Sequence, residues 1–293
     1  MSILIFLTNN CRAGGIYMNK LNFLHITDTH ILQEYKGSLL EKMDRPNSNP
    51  SDNLIKVLEN VKSLIQKPDF ILISGDLVHE GNATDYAYLK QTIEDHVKDI
   101  PVYTALGNHD VTAAYWEGYE GKVNCTDQLF YETDINGYRL IVLDSSYDNS
   151  GVGMVDSIQL DWLANVLKTP AENGSLVVVH HPLEAGEVKD GHALTNSKEL
   201  LNIINDTDVI AVLSGHIHQN KLSHFGSILL ATADGLAFGG NVTNDTMQLN
   251  DRTGFSLCTV DENGLAVQTV RFPDDITVLL SFSLKELEQL QPK

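Results

Sequence analysis

The chain has 293 residues with 42% hydrophobic content, enough to bury the core of one domain rather than an assembly of modules. Its 39 acidic against 20 basic side chains, a formal net charge of −19, argue against binding duplex nucleic acid through the phosphate backbone and otherwise read as a solvated surface. Three cysteines, Cys11, Cys125 and Cys258, make no disulfide framework, and the odd count suits a reducing compartment, so the expected location is cytoplasmic.

In chain order, residues 1–8 carry an apolar run without a basic flank and too short to span a bilayer, so neither a signal peptide nor a membrane partner is expected. Ala13-Gly14-Gly15-Ile16-Tyr17 precedes Met18, and codons GCA-GGA-GGA there would spell a ribosome-binding sequence. Translation is therefore expected to start at Met18, which leaves 1–17 as a non-structural extension. Runs rich in Ile, Val and Leu at 21–27, 70–74, 102–105, 176–179 and 209–214 read as buried strands. A loop at 44–52 leads into a helix capped near Ser51 or Asp52 and running to about residue 66. Further helices are expected at 82–97, 156–167 and 197–205, and a hairpin through Asn136-Gly137 joins 129–135 to 138–145. Strands at 221–225, 228–231, 254–260 and 266–271 make the last third mainly β. The tail, 274–293, holds a short amphipathic helix at 284–290 that docks on the domain or on a second copy, which raises a homodimer as a candidate assembly. The alternation predicts an α/β fold, a two-sheet β-sandwich flanked by helices on both faces, with one domain over 18–273 and no internal repeat.

Five polar clusters stand just past the five buried runs: Asp28-Thr29-His30, Gly75-Asp76, Gly107-Asn108-His109-Asp110, His180-His181-Pro182 and Gly215-His216-Ile217-His218. Any one alone reads most simply as a turn held by local hydrogen bonds. All five at strand ends, where a layered α/β protein gathers its binding loops, read as a site. The set offers carboxylates, an amide oxygen and imidazoles with no thiol beside them, donors that suit Mn, Fe, Zn or Co. There are more donors than one ion needs, so two ions sharing a carboxylate are expected. Asp76, standing alone after Gly75, is the natural bridge.

The order D-x-H, G-D, G-N-H-D, H and G-H-x-H resembles the calcineurin-like metallophosphoesterases over about residues 21–271. Within them, the stretch 177–186 with its His-His-Pro and the segment 214–231 around Gly-His-Ile-His-Gln are similar to the bacterial class III cyclic-nucleotide phosphodiesterases. The resemblance implies that Asp28, His30, Asp76 and His218 hold one divalent or trivalent transition metal ion and that Asp76, Asn108, His180 and His216 hold a second. It implies attack on phosphorus by a hydroxide bridging the two ions. His109 would protonate the departing alkoxide or stabilise its charge, and Asp110 would hold that imidazole in orientation. The favoured substrate is a small phosphodiester, 3′,5′-cyclic AMP first. Phosphomonoesters and glycerophosphodiesters are the enzymatic alternatives, and a non-catalytic scaffold on the same fold is the alternative of another class. Two ions add a local charge of about +4, enough to hold an anionic ester on an acidic protein.

One departure from the resemblance stands out. Many relatives carry Asp three residues after the bridging Asp, paired with the catalytic histidine, whereas this chain has His79, followed by Glu80. A neutral imidazole accepts a hydrogen bond but brings no negative charge. Either Asp110 or Glu80 substitutes, or the pH optimum shifts, and an ordinary turn histidine fits the slot equally well. His181 either faces substrate or caps the loop before Pro182. His192 and Asn196 reach substrate or, more simply, bond their own backbone. Asn108, His79, His181 and His192 are therefore the candidate substrate contacts. His25 and His224 read as packing residues. Tyr115, Trp116 and Tyr119, in the loop 111–126, either stack on a base or pack against the domain.

Overall fold

The computed structural model describes residues 19–38, 40–43, 49–61, 63–64, 66–146, 151–184, 192–243 and 246–283. In chain order its elements begin with β1 (Leu21–Ile26), α1 (Pro50–Val61), β2 (Phe70–Ser74), α2 (Ala83–His96), β3 (Val102–Ala105) and α3 (Thr112–Gly118). They continue with β4 (Tyr131–Ile135), β5 (Tyr138–Leu143), α4 (Ser157–Val166), β6 (Ser175–Val179), α5 (Ser197–Ile204) and β7 (Val209–Ser214). The last third is all β: β8 (Lys221–Phe225), β9 (Ile228–Thr232), β10 (Gly239–Thr243), β11 (Thr246–Asn250), β12 (Thr253–Asp261), β13 (Gly264–Phe272) and β14 (Val278–Ser283).

The two-residue period of a strand decides how these elements layer. Leu21 and Phe23 of β1, with Phe70 and Leu72 of β2, point between the sheets, where they meet Leu140, Val142, Leu176, Val178 and Leu213. The intervening Leu24, Ile26, Ile71 and Ile73 point outward and pack on Leu54 and Leu58 of α1 and on Tyr86, Leu89 and Ile93 of α2. On the far side Ile141, Leu143, Val177 and Val179 pack on Leu160 and Leu163 of α4 and Leu200 and Ile204 of α5. Strands apolar on both faces are buried on both, which gives helix, sheet, sheet and helix layers. One sheet runs β13-β12-β1-β2-β3, antiparallel from β13 to β1 and parallel from β1 to β3, and the other runs β4-β5-β6-β7-β9-β8, with a parallel centre and an antiparallel pair at each edge.

Local signals set the helix starts. Asn82 caps α2 by accepting from Thr84 N at 2.8 Å, and Asp85 reaches back to the Asn82 N–H at 3.0 Å, a reciprocal capping box. Asp156 caps α4 through Gln159 N at 2.9 Å. For α1 the side chain that accepts from the first turn is Asn49, at 2.8 Å from Asp52 N, and the helix ends at Val61, short of the expected 66. Residues 112–118, read from the sequence as loop, form α3. A third sheet, β10-β11-β14, was not anticipated, because β10 and β11 lack an apolar run and β14 falls in the stretch assigned to a tail. The 1–17 extension and the tail helix at 284–290, with the second-copy contact it raised, lie outside the described residues. Among the described residues no helix is long and apolar enough to cross a membrane.

The polar clusters follow the carboxyl ends of β1, β2, β3, β6 and β7, and the loops approach so closely that glycine is required between them. At Gly215 a Cβ would fall onto Thr27 Oγ1 and lie 2.6 Å from Asp28 Oδ2. Gly215→Ala is expected to destabilise the fold by about 1–3 kcal/mol, the usual cost of overpacking, read as a lower urea midpoint at unchanged slope.

Candidate metal centre

Backbone hydrogen bonds stitch the loops together before any side chain is considered. Asp28 N donates to Gly75 O at 3.0 Å, His30 N to Asp76 O at 2.9 Å, Gly215 N to His180 O at 2.9 Å and Ala237 N to Asp28 O at 2.9 Å. The loops also turn sharply: Asp28, His30, Asp76, Glu80, His216 and His218 all have positive φ, between 43° and 72°. Each such non-glycine residue costs about 1–2 kcal/mol, and it persists only where the surroundings over-determine it.

Two groups of buried donors result. In the first, His30 Nε2 and His218 Nε2 lie 3.4 Å apart, and Asp28 Oδ1 is 3.2 Å from His218 Nε2. That spacing matches the edge of about 3.3 Å between ligands of a tetrahedral ion with bonds of ~2.0–2.1 Å. In the second, Asp76 Oδ2 is 3.2 Å from His180 Nε2, and His216 Nδ1 is 2.9 Å from Asn108 Oδ1. Asp76 Oδ2 also lies 3.7 Å from His30 Nε2, so this carboxylate stands between the groups.

Hydrogen bonds fix which imidazole nitrogens are bare. His180 Nδ1 faces Ser74 O at 2.9 Å and His218 Nδ1 faces Phe238 O at 2.7 Å. A carbonyl only accepts, so both Nδ1 atoms carry hydrogen and Nε2 is the atom that each ring, once neutral, offers to a cation, as carbonyl partners commonly arrange for metal-binding histidines. Asp28 Oδ1, His180 Nε2 and His216 Nε2 are buried without a hydrogen-bond partner. Unsatisfied buried groups cost about 1–3 kcal/mol each, and cations would satisfy all three. The donor set therefore fits a pair of ions with N and O preference; Cys125 and Cys258 are both free thiols and belong to neither group.

The field in the site favours positive charge. Burial opposes a charge on His180, but the Asp76 and Asp28 carboxylates outweigh it and raise its pKa to about 9. His218 is likewise raised against burial by Asp28. Burial pushes Asp76 up, yet the surrounding imidazoles, His180 first, hold it well below the usual carboxylate range. His30 and His216 are kept well below the ordinary histidine value by burial.

His109 stands at the rim with its side chain 31% exposed and its Nδ1 3.3 Å from Glu80 Oε1. Burial works against its charge, but Asp76 and the bond to Glu80 together raise its pKa. Asp110, expected to orient this imidazole, does something else. Its carboxylate accepts from Gly107 N at 2.8 Å, Leu77 N at 3.1 Å, Val78 N at 3.1 Å and Tyr86 OH at 2.8 Å, which uses both oxygens to clamp one loop to the next. His79 is buried, stacks on His109 at 4.7 Å between ring centres and faces His30 Nδ1 through its own Nδ1 at 3.1 Å.

Residues 21–220 match the calcineurin-like phosphoesterase family. The chain belongs to this family. A probable cyclic nucleotide phosphodiesterase of Rhodococcus erythropolis is 28% identical over 253 residues, spanning 83% of this chain and 80% of that protein. A cAMP/cGMP dual specificity phosphodiesterase of Mycobacterium tuberculosis is 28% identical over 247 residues, spanning 81% of this chain and 74% of that protein. Among solved structures, a dimetal phosphatase from Danio rerio superposes with a TM-score of 0.57 at 14% identity, covering 87% of this chain and 99% of that one, which bears on the fold alone.

The remaining candidates of this calcineurin-like phosphoesterase fall on different sides of the site. His181 is buried beside His216, ring centres 4.4 Å apart, with Nδ1 2.8 Å from Ser145 Oγ. His192 comes within 5.6 Å of the His216 ring. Asn196 instead bonds Val155, accepting its N–H at 3.2 Å and donating to its carbonyl at 2.7 Å, so it ties two loops together. His25 is buried against Ser74 Oγ at 2.8 Å, as a packing histidine. Tyr115 and Trp116 are only 2% and 9% exposed, and Trp116 Nε1 donates to Asp127 O at 2.6 Å. These rings pack on the domain and are not a base-stacking platform. Phe238 was missed altogether: it stacks on His218 at 4.1 Å and receives that residue's Nδ1–H on its carbonyl. It lies in Gly-Leu-Ala-Phe-Gly-Gly, which carries no pattern that would single it out.

The clamp has a measurable consequence. Asp110→Ala leaves three buried N–H groups without an acceptor and is expected to cost at least about 3 kcal/mol in urea unfolding. His109→Ala, at the exposed rim, is expected to cost less than about 1 kcal/mol in the same assay.

Proposed function

We propose that this phosphoesterase hydrolyses 3′,5′-cyclic nucleotides, with small phosphodiesters of similar charge as its wider substrate class. The observation that carries the reading is the pair of buried donor groups joined at Asp76, in a chain whose relatives named for cyclic-nucleotide hydrolysis align over four-fifths of its length. Asp28, His30 and His218 would hold one cation and His180, His216 and Asn108 the other, with Asp76 shared. When bound, such a pair supplies Lewis acidity toward the phosphoryl oxygens and lowers the pKa of water. Manganese, iron, zinc and cobalt all suit the ligands, and supply in the cell selects among them.

The chain's own residues then do two things. The His and carbonyl contacts keep the donor lone pairs directed inward, so that the site is set before substrate arrives. His109, its Nδ1–H held by Glu80, has Nε2–H left to protonate the departing alkoxide. A non-catalytic scaffold is disfavoured, because three buried donor atoms without protein partners are a cost that bound cations would offset. A cytoplasmic location belongs to the same reading and is supported by the free Cys125 and Cys258, which suit a reducing compartment.

Initial rates of the manganese-loaded protein on cyclic AMP, bis(p-nitrophenyl) phosphate and p-nitrophenyl phosphate test the proposal. Turnover of cyclic AMP is expected; hydrolysis of the monoester alone would replace the reading with a phosphomonoesterase. Asp76→Asn is expected to weaken binding of both ions in metal analysis, and full retention of two equivalents would contradict a shared carboxylate. Because His109 acts as an acid, the rate falls as pH rises through its raised pKa. Glu80→Gln removes part of what raises that pKa, so the alkaline limb of the pH–rate profile is expected to move to lower pH.

A further inference from the structure

We infer that His79 is a positioning residue in a hydrogen-bond relay that runs from His30 through His79 and Glu80 to His109. His30 belongs to the first donor group through Nε2, which lies 3.4 Å from His218 Nε2. A neutral imidazole that offers its Nε2 lone pair to a cation carries its hydrogen on Nδ1. His30 Nδ1 faces His79 Nδ1 at 3.1 Å, so His30 donates and His79 accepts. Accepting there leaves His79 neutral, with its own hydrogen on Nε2. That nitrogen is buried and has no hydrogen-bond partner.

A buried donor left unmade is costly, and the neighbouring Glu80 carboxylate is the acceptor we assign to it. Donor atoms of His79, Glu80 and His109 lie within 4.8 Å of one another. The Glu80 side chain is 64% exposed and has room to turn. With one oxygen on His109 Nδ1, now at 3.3 Å, and the other on His79 Nε2–H, a single carboxylate spans two rings already stacked 4.7 Å apart at 29°. The same reasoning removes a third metal ion from these three residues, since the outward nitrogen of His79 holds a proton where a cation needs a lone pair. The relay makes the orientation of His109 depend on the first donor group: His30, with Nε2 turned to a cation, would keep its hydrogen on Nδ1, which sets the tautomer of His79 and so the position of Glu80. Only the catalytic meaning of His109 rests on the proposed function; the tautomers do not.

The test uses the full-length chain, labelled with ¹⁵N-histidine and saturated with zinc, in long-range ¹H–¹⁵N correlation spectra. His79 is expected as the Nε2–H tautomer, with that proton exchanging at least about tenfold faster in Glu80→Ala. In hydrolysis of bis(p-nitrophenyl) phosphate at saturating zinc, His79→Phe keeps a stacked ring but neither nitrogen. It is expected to lower kcat about tenfold at unchanged KM, the range for losing a hydrogen bond that orients a metal-binding histidine. An Nδ1–H tautomer, a third zinc equivalent that disappears in His79→Phe, or proton exchange indifferent to Glu80 overturns the relay. If no ester is hydrolysed while the spectra show the expected tautomer and exchange, the relay stands and the functional reading fails.

Discussion

Asp76 Oδ1 accepts the His109 N–H at 2.8 Å while Oδ2 faces His180 at 3.2 Å and His30 at 3.7 Å, so one buried carboxylate is common to loops from both sheets. The rest of the catalytic face is built around keeping it there. A Cβ on Gly107 would fall onto Asp76 itself, and one on Gly75 would fall onto the His180 ring, so the chain has no side chain to spare on either flank. The Asp110 clamp fixes the amides of Leu77 and Val78 immediately after Asp76, which holds the carboxylate from its own loop. Close approach of backbone is what brings together the seven strand-end residues that would hold two ions.

The layered architecture explains why this crowding is tolerated. β1, β2 and β3 are parallel neighbours in one sheet and β6 and β7 in the other, so five loops emerge on one side of the sandwich. Cores on both faces of each sheet hold the strand ends still, and the loops inherit that rigidity. The small third sheet contributes as well, since Phe238 precedes β10 and provides both the carbonyl and the ring against which His218 is set.

Much of this was legible in the residues because the signals were local. Strand runs such as 70–74 are continuous apolar segments, the helices expected from 82 and 156 begin at Ala83 and Ser157, and the donor residues follow strand ends in a fixed order. What was not legible depends on contacts far apart in the chain. Asp110 sits beside His109 in sequence, so orienting it was the natural reading, yet its carboxylate turns to amides more than thirty residues earlier. The aromatic residues at 115, 116 and 119 left stacking on a base and packing on the domain equally open, because the partners that bury Tyr115 lie on α2 and β3. Phe238 and Asn196 act through backbone partners, and residue type alone carries no trace of that.

The positive-φ residues of the site loops have a bearing on how such a protein changes over generations. Asp28, His30, Asp76, Glu80, His216 and His218 each hold a backbone shape that glycine or asparagine would adopt at lower cost. The chemistry and the stability of the chain therefore pull in opposite directions at the same positions. A descendant relieved of its ligands would gain stability by drifting toward Gly or Asn there, and the loss of function would be hard to reverse. In a sequence of this fold, the side chain at those six positions is a record of whether selection still acts on the reaction.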